Sequence, residues 1–251
     1  MSNASQSSPI IMLDPSPAGF GDKPDELDPD IFVSELPTQH SHAFFEDDSL
    51  GLYIGLWDTD DMVEAPGPYA CDEFMLLLEG EVRVKDNQTG EFTAVAASDA
   101  FVLPKGYDCQ WHQQGYLRKF YVISEHPDES VPDPAAKQQT IIIPLSPGNN
   151  ARSESVLFPG LDSSNCTEAL SYTDTQGRFF AGIWQSSALN AHAVALNHHC
   201  LLCVRCGAVT LATGEGEAHV SAGQTCFIPS STQLAMSVGQ ETVIQFCTVT
   251  P

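Results

Sequence analysis

An all-β protein made of two similar barrels in tandem is the fold class that the sequence predicts. Short runs rich in Val, Leu, Phe and Tyr alternate with Gly, Pro, Asn and Asp along most of the 251 residues, which is typical of a sandwich or barrel. We find no amphipathic helix pattern longer than about two turns. One pattern also occurs twice, because GLYIGLW ends at Trp57 and RFFAGIW ends at Trp184.

The repeat extends beyond these two tryptophans. Gly80 and Gly207 are separated by the same number of residues as Trp57 and Trp184. The spacing then shortens slightly at a turn, and the shorter spacing pairs Ser98 with Gly223, Pro104 with Pro229 and Tyr121 with Phe246. A single change of spacing at a turn indicates a duplicated domain, whereas chance similarity would scatter the spacings.

The elements follow in order along the chain. Residues 1–30 are rich in Ser, Pro, Asp and Gly and are predicted to form an irregular N-terminal arm. We place the first barrel at 31–125, a linker with the first strand of the second domain at 126–150, and the second barrel at 151–251. The strand-like runs are 51–57, 73–79, 81–85, 91–96, 100–103, 109–114 and 117–123, then 141–144, 178–185, 198–205, 207–212, 217–221, 225–228, 233–238 and 242–249.

The composition excludes two classes of partner. The chain carries 33 acidic and 10 basic side chains, a formal net charge of −23. Nucleic acids and anionic membranes are bound through clustered Lys and Arg, so we expect neither as a partner. No apolar run approaches the roughly 20 residues that span a bilayer. The start of the chain lacks the basic region of a secretory signal, so we expect a cytoplasmic protein.

Four segments of the first half resemble the cupin superfamily. They are Trp57, YACDEFMLLLEGEVRV (69–84), SDAFVLPKG (98–106) and WHQQGYLRKFYVI (111–123). They are similar to the subgroup that includes ethanolamine-utilisation cupins and ureidoglycine aminohydrolases. The resemblance implies a bicupin, with two double-stranded β-helix (jelly-roll) barrels, and it suggests a homodimer that buries further sheet edges.

The resemblance also implies where a metal would bind. A metal-binding cupin carries His-x-His, a Glu a few residues later, and a fourth His after a Pro-x-Gly turn. In this sequence Glu73 stands at the Glu position, Tyr69 lies nearest the second His, and Cys109 stands at the fourth ligand position. A carboxylate and a thiol without imidazole partners do not hold Zn, Mn or Fe tightly. We therefore expect no tightly bound cofactor.

One divalent transition metal is the alternative to a metal-free protein. Its ligands would be Glu73, Cys109 and His112, or else His198 and Cys200 of the run HHCLLCVRC in the second copy. Strand alternation makes His112 point away from Cys109, and an extended strand does not supply the turn that a CxxC chelate needs. An apolar core is therefore the favoured interpretation of this run.

The alternation of side chains in strands predicts a candidate site in the first barrel. If Glu73 points inward, the side chains on the same strand faces surround one mostly apolar cavity. They supply a phenol, a carboxylate, two thiols, a thioether, an indole and an amide. These residues are Tyr69, Cys71, Glu73, Met75, Cys109, Trp111 and Gln113. A few polar groups that converge in an apolar pocket are typical of a small-molecule site.

Three functions are compatible with these observations. The first is a small-molecule-binding bicupin without a tightly bound metal, whose ligand occupies the first barrel. The second is an enzyme on a small, nitrogen-containing metabolite, either metal-assisted as the ureidoglycine aminohydrolase resemblance implies, or dependent on Glu73 with Tyr69 as acid–base residues. The third is a dimeric scaffold without a ligand, since a fold does not determine a function.

Overall fold

The computed structural model describes residues 10–125, 138–148, 151, 152, 154–161 and 166–251, apart from the side chains of 191 and 192. Within these residues the chain is almost entirely β-structure, which confirms the predicted fold class. One 3-10 turn at Pro29–Ile31 is its helical element. No described helix is long or apolar enough to cross a membrane.

The first compact unit comprises residues 14–142 and contains two facing sheets. One sheet has the strand order β12-β9-β6-β11-β3-β2, and the other has the order β4-β10-β7-β8 with β5 also paired to β10. Numbered in chain order, and including β1 of the other unit, the strands are β1 Ile11–Leu13, β2 Gln39–Asp47, β3 Leu52–Thr59, β4 Met62–Val63, β5 Gly67–Pro68, β6 Asp72–Glu79, β7 Glu81–Asp86, β8 Phe92–Ala96, β9 Ala100–Leu103, β10 Asp108–Gln113, β11 Leu117–Ser124 and β12 Ile141–Ile143.

The second compact unit comprises residues 1–13 and 143–251 and repeats this architecture. Its sheets have the orders β1-β19-β16-β21-β14-β13 and β15-β20-β17-β18. Each strand therefore has a counterpart in the first unit. The strands are β13 Cys166–Thr173, β14 Phe179–Ser186, β15 Leu189–Ala195, β16 His199–Cys206, β17 Ala208–Thr213, β18 Gly216–Ser221, β19 Thr225–Ile228, β20 Gln233–Val238 and β21 Thr242–Val249.

Two glycines at the same turn of each unit support the duplication at atomic detail. Gly80 has φ +84° and Gly207 has φ +70°, a backbone region that side chains disfavour. A Cβ atom would lie 2.3 Å from the Tyr116 carbonyl oxygen in the first case and 2.2 Å from the Glu241 carbonyl oxygen in the second. Glycine is therefore required at both turns, because in each case a backbone carbonyl oxygen occupies the space that a side chain would need.

The ends of the repeats differ from the sequence prediction. The predicted arm 1–30 is divided, because β1 pairs with β19 in the second unit while residues from Asp14 onward belong to the first unit. The strand at 141–143, predicted at the start of the second domain, lies instead beside β9 in the first sheet. Both segments are apolar triplets, and each covers the edge of a sheet that would otherwise present unpaired backbone groups. Residues 126–137 of the predicted linker lie outside the described residues.

The interiors of the two barrels are filled differently. The first has an apolar lining from both sheets: Met62, Met75, Leu77, Val82, Val84, Val95, Phe101, Leu103 and Leu117. In the second barrel, residues Leu157 and Phe158 of the preceding loop are fully buried in the core, and the Phe158 ring meets the Trp184 ring edge-on at 5.4 Å. In the first barrel the preceding segment contributes Phe32, buried in the core, and Leu27, only partly buried against it.

Candidate functional site

A buried ion pair lies inside the first barrel. Glu73 on β6 is 4% exposed, and Lys119 on the neighbouring strand β11 is 7% exposed. The Lys119 Nζ lies 2.8 Å from the Glu73 Oε1. The Tyr69 hydroxyl donates a hydrogen bond to the other carboxylate oxygen, Oε2. Both oxygens of Glu73 are thus engaged by side chains of the cluster.

The remaining surroundings of the Lys119 ammonium are weak partners. Its Nζ lies 3.1 Å from the Met75 sulfur. It also lies 4.7 Å from the centre of the Trp57 ring and 5.0 Å from the centre of the Trp111 ring. Ring faces attract cations, and a thioether is a weak acceptor. Within the described part of the chain, Glu73 is the one strong acceptor that this ammonium contacts.

Strand pairing explains why these residues meet. β11 lies between β6 and β3 in the six-stranded sheet, with Lys119 opposite Leu77 on one side and Trp57 on the other. Since alternate side chains share a face, Lys119 points to the same interior as Leu117, which belongs to the first-barrel core. Trp111 reaches this interior from β10 of the facing sheet.

Glu64 is a second carboxylate of this site. It lies in the segment between β4 and β5 and is partly exposed, and its backbone N–H donates to the Trp111 carbonyl oxygen at 3.1 Å. Burial raises the pKa of Glu64 to about 7; the Lys119 charge opposes this rise and the Glu73 charge adds to it. Its carboxylate accepts no hydrogen bond from the residues that the structure describes.

The two thiols of the predicted site are protonated groups. Burial, followed by the charges of Glu64, Asp108 and Asp86, raises the pKa of Cys109 to about 12. Burial and the neighbouring Glu73 charge also hold the pKa of Cys71 well above its usual range. A thiol that resists ionisation is a poor metal ligand and a poor nucleophile.

Gln113 is committed to the protein's own structure. Its amide nitrogen donates to the carbonyl oxygens of Asp60 at 3.0 Å and Gly115 at 2.8 Å. Its amide oxygen accepts the indole N–H of Trp111 at 3.1 Å. Gln113 therefore orients the Trp111 ring, and its polar atoms are already used before any ligand arrives.

The structure brings most of the predicted site residues together. Tyr69, Met75, Cys109 and Trp111 line or pack against the first-barrel core, and Cys71 is buried near the Glu73 charge. His112 lies on the opposite face of β10, as strand alternation predicts. Its Nε2 lies 2.9 Å from the Gln110 side-chain oxygen.

The alternative metal ligands of the second copy have other surroundings. The two ring nitrogens of His198 lie 3.0 Å from the Asn197 side-chain oxygen and 3.2 Å from the Leu157 carbonyl oxygen. Burial lowers the pKa of His198 to about 4. Cys200 is 1% exposed inside the apolar core. The His198 ring is thus used by the loop that fills this barrel.

The donor atoms of the first barrel do not fit a tightly bound metal. Glu73 gives both oxygens to Lys119 and Tyr69, Cys109 is a protonated thiol, and His112 faces away. In the described ranges no three His, Cys, Asp or Glu residues form a group suited to a metal ion. An ammonium group occupies the position beside Glu73 that a cation would need.

In the second barrel, uncharged residues occupy the positions equivalent to this cluster. Lys119 pairs with Trp57 across β11 and β3, and Ile244 pairs with Trp184 across β21 and β14. Ile244 is thus the counterpart of Lys119, and Cys200 is the counterpart of Glu73. Both are buried in the second core, at 0% and 1% exposure. The charged pair is therefore a feature of the first barrel alone and is not required by the fold.

Sequence reasoning missed Lys119 and Glu64. A signal for Lys119 is present in the sequence, because the repeat aligns it with the apolar Ile244. Glu64 precedes the matched strand β6 and falls in a segment of Pro and Gly that gives no strand period. Its role becomes visible only from its burial and from the charges around it.

Replacing Glu64 by Gln is expected to change how stability depends on pH. A carboxyl whose pKa is raised from 4.5 to about 7 contributes stability that is complete below pH 4.5 and is lost as the pH rises through 7. Gln cannot ionise, so the variant should gain stability over the wild type above pH 7. Urea unfolding at several pH values measures this difference. Glu81→Gln, at an exposed position, is the control, and a Glu64→Gln difference that does not vary with pH would contradict the expectation.

Comparison with known proteins gives the fold a family context. Residues 55–121 match the family model of the EutQ-like cupin domain. This segment contains Lys119, Glu73 and Glu64, so the match covers the cluster itself. No curated protein matches the chain significantly.

Solved structures resemble the whole chain. A DUF861-family protein of unknown function from Pseudomonas syringae pv. tomato str. DC3000 is 16% identical, with 96% of this chain and 99% of that chain covered and a TM-score of 0.71. A cupin 2 conserved barrel domain protein from Leptotrichia buccalis is 9% identical, with 84% and 88% covered and a TM-score of 0.55. Salicylate 1,2-dioxygenase from Pseudoaminobacter salicylatoxidans is 13% identical, with 83% and 73% covered and a TM-score of 0.54. These likenesses show the fold.

Proposed function

We propose that the first barrel, whose residues 55–121 match the family model of the EutQ-like cupin domain, binds a small organic molecule without a tightly bound metal. One observation carries the proposal. The Glu73–Lys119 pair is buried beside Tyr69, Trp57 and Trp111, whereas the second barrel packs the equivalent positions with apolar side chains and a thiol.

The energetics of buried charges support this interpretation. Removing two charges from water costs several kcal/mol each, and a buried pair is often no more stable than apolar residues of similar volume. The counterparts Ile244 and Cys200 show that such residues fit this fold. A protein that keeps the costlier pair in one barrel gains little stability from it. We infer that the pair is kept for recognition or chemistry.

The first site is more open to solvent than its counterpart. Trp57, Tyr69 and Glu64 are all partly exposed, while Trp184 is completely buried under Phe158. The segment before the second barrel buries both Leu157 and Phe158 completely. The segment before the first barrel buries Phe32 in the core and leaves Leu27 only partly buried against it.

The chemistry of the ligand is inferred from the surroundings of the Lys119 ammonium. The Lys119 ammonium has hydrogen-bonding capacity that a thioether and two ring faces use poorly. An oxygen acceptor on the ligand would complete its coordination, and the Trp57 and Trp111 rings would contact an apolar body. We propose that the ligand is a small molecule with a carbonyl or hydroxyl oxygen. We also propose that the protein is a cytoplasmic homodimer.

A ligand screen with a matched variant tests the proposal. Thermal shift with a panel of small carbonyl and hydroxyl metabolites should reveal compounds that raise the Tm of the wild type. The double variant Glu73→Cys, Lys119→Ile carries the residues of the second barrel and should not respond. His112→Ala, on the outer face of β10, should respond like the wild type. Equal shifts in the double variant would place the binding site elsewhere.

A further inference from the structure

We propose that the first barrel catalyses proton transfer at a carbon atom next to a carbonyl group, with the Glu64 carboxylate as the base and the Lys119 ammonium as the group that stabilises the oxygen of the enolate. The inference rests on the proposed function, because the substrate would occupy the same site. It assigns a reaction class and a substrate class, namely small enolisable aldehydes, ketones and 2-oxo acids.

Glu64 is the carboxylate that is available as a base. Each oxygen of Glu73 already accepts a hydrogen bond, one from the Lys119 ammonium and the other from the Tyr69 hydroxyl, so a substrate proton would compete with both partners. Glu64 is partly exposed, and its side chain is not held by a hydrogen bond from any residue that the structure describes. A base with a pKa near 7 is well matched to proton abstraction at neutral pH.

Lys119 is placed to act as an electrophile. It is buried, and its Nζ lies 2.8 Å from the Glu73 Oε1 in an ion pair that fixes its position. Its other neighbours are the Met75 sulfur and two indole rings, and a substrate oxygen would be a stronger acceptor than any of them. A fixed positive charge in an apolar site stabilises a developing oxyanion strongly.

The two groups belong to facing sheets of one barrel. Glu64 is tied by its backbone to Trp111 on β10, and the Trp111 ring lies 5.0 Å from the Lys119 Nζ on β11. The charged and titratable groups around Glu64 are Lys119, Glu73, Cys109 and Tyr69. Cys109 and Tyr69 both have raised pKa values, mainly through burial, so they stay neutral while Glu64 titrates. Glu64 is therefore the group whose charge changes near neutral pH.

The proton balance needs no further reactant. The Glu64 carboxylate accepts a proton from the carbon, and the electron pair of the broken C–H bond forms a carbon–carbon double bond. The carbonyl π pair moves onto the oxygen, which the Lys119 ammonium stabilises. Return of a proton from Glu64 to the same carbon exchanges hydrogen with solvent. Return to the neighbouring carbon of a hydroxyketone, with proton transfer between the two oxygens, gives an isomer.

Hydrogen exchange in deuterated water tests this chemistry. We would incubate the full-length protein with pyruvate, dihydroxyacetone and cyclohexanone in separate samples. One NMR sample reports both events, since saturation transfer detects binding and loss of the α-proton signal detects exchange. For at least one probe we expect enzyme-dependent exchange, reduced about 100-fold or more in Glu64→Gln while binding persists. Its rate should rise with pH through about 7 and then level off.

Each outcome decides between the two proposals. Binding of a probe without exchange would overturn proton transfer and leave the binding function standing. Neither binding nor exchange for all three probes would overturn the inference and count against the carbonyl ligand class. Exchange that is unchanged in Glu64→Gln would remove Glu64 as the base. Trapping of the probe on Lys119 by borohydride would show an imine, and would overturn the role of the ammonium.

Discussion

Replacing Lys119 by Met is expected to lower the free energy of unfolding by about 3–5 kcal/mol, the usual cost of breaking a buried ion pair. The variant leaves the Glu73 carboxylate 4% exposed without its counter-ion and keeps only the Tyr69 hydrogen bond. Met fills much of the volume of Lys, so the loss reports the uncompensated charge rather than a cavity. Urea unfolding at neutral pH measures the change.

The double variant Glu73→Cys, Lys119→Ile is the matched control. It removes both charges and introduces the residues that the second barrel already buries as Cys200 and Ile244. We expect most of the lost stability to return, because replacing a buried pair by apolar groups is often neutral or stabilising. If the double variant is as unstable as Lys119→Met, the pair is a requirement of folding and the argument for a functional role fails.

Replacing Phe158 by Ala is expected to cost about 3–5 kcal/mol, as for other fully buried aromatic residues. The ring is 0% exposed and lies edge-on to Trp184 at 5.4 Å, in a loop that the Glu168 carboxylate ties down through the backbone N–H groups of Val156 and Leu157. The substitution leaves a cavity beside Trp184. Urea unfolding measures the cost, and acrylamide quenching should show a newly accessible tryptophan.

Phe92→Ala is the control for this experiment, since Phe92 is 41% exposed on β8. It should cost much less than Phe158→Ala, within the usual range for surface positions. A Phe158→Ala variant with wild-type stability and quenching would contradict the description of this side chain as the group that fills the second barrel. The contrast with the open first site would then lose its physical basis.

Much of the fold follows from the sequence for a definite reason. A repeat with one change of spacing specifies two copies of one barrel, and strand alternation places Tyr69, Glu73 and Trp111 in a common interior. The exchange of β1 and β12 between the two units was missed. A short apolar triplet shows that an edge is covered, but it does not show which edge.

The centre of the site was only half predicted. Charged residues are rarely buried, so a lysine within YLRKFYVI ordinarily indicates a solvent-facing position, and only its repeat counterpart Ile244 indicates a buried one. The resemblance to metal-binding cupins predicts Glu73 as a metal ligand, and it gives no indication that a lysine of the protein lies beside that carboxylate. Strand alternation predicts Gln113 on the inner face, but it does not show that the side-chain amide is already hydrogen-bonded within the protein.

Elemental analysis of the purified protein after dialysis tests the central claim most directly. In the proposed function, the side chains of Glu73, Lys119 and Tyr69 form the binding site of the first barrel, at the place where a metal-binding cupin holds its metal. We expect first-row transition metals far below one equivalent per chain, in the wild type and in Glu73→Gln alike. One equivalent in the wild type that disappears in Glu73→Gln would contradict it, and would make Glu73 a metal ligand.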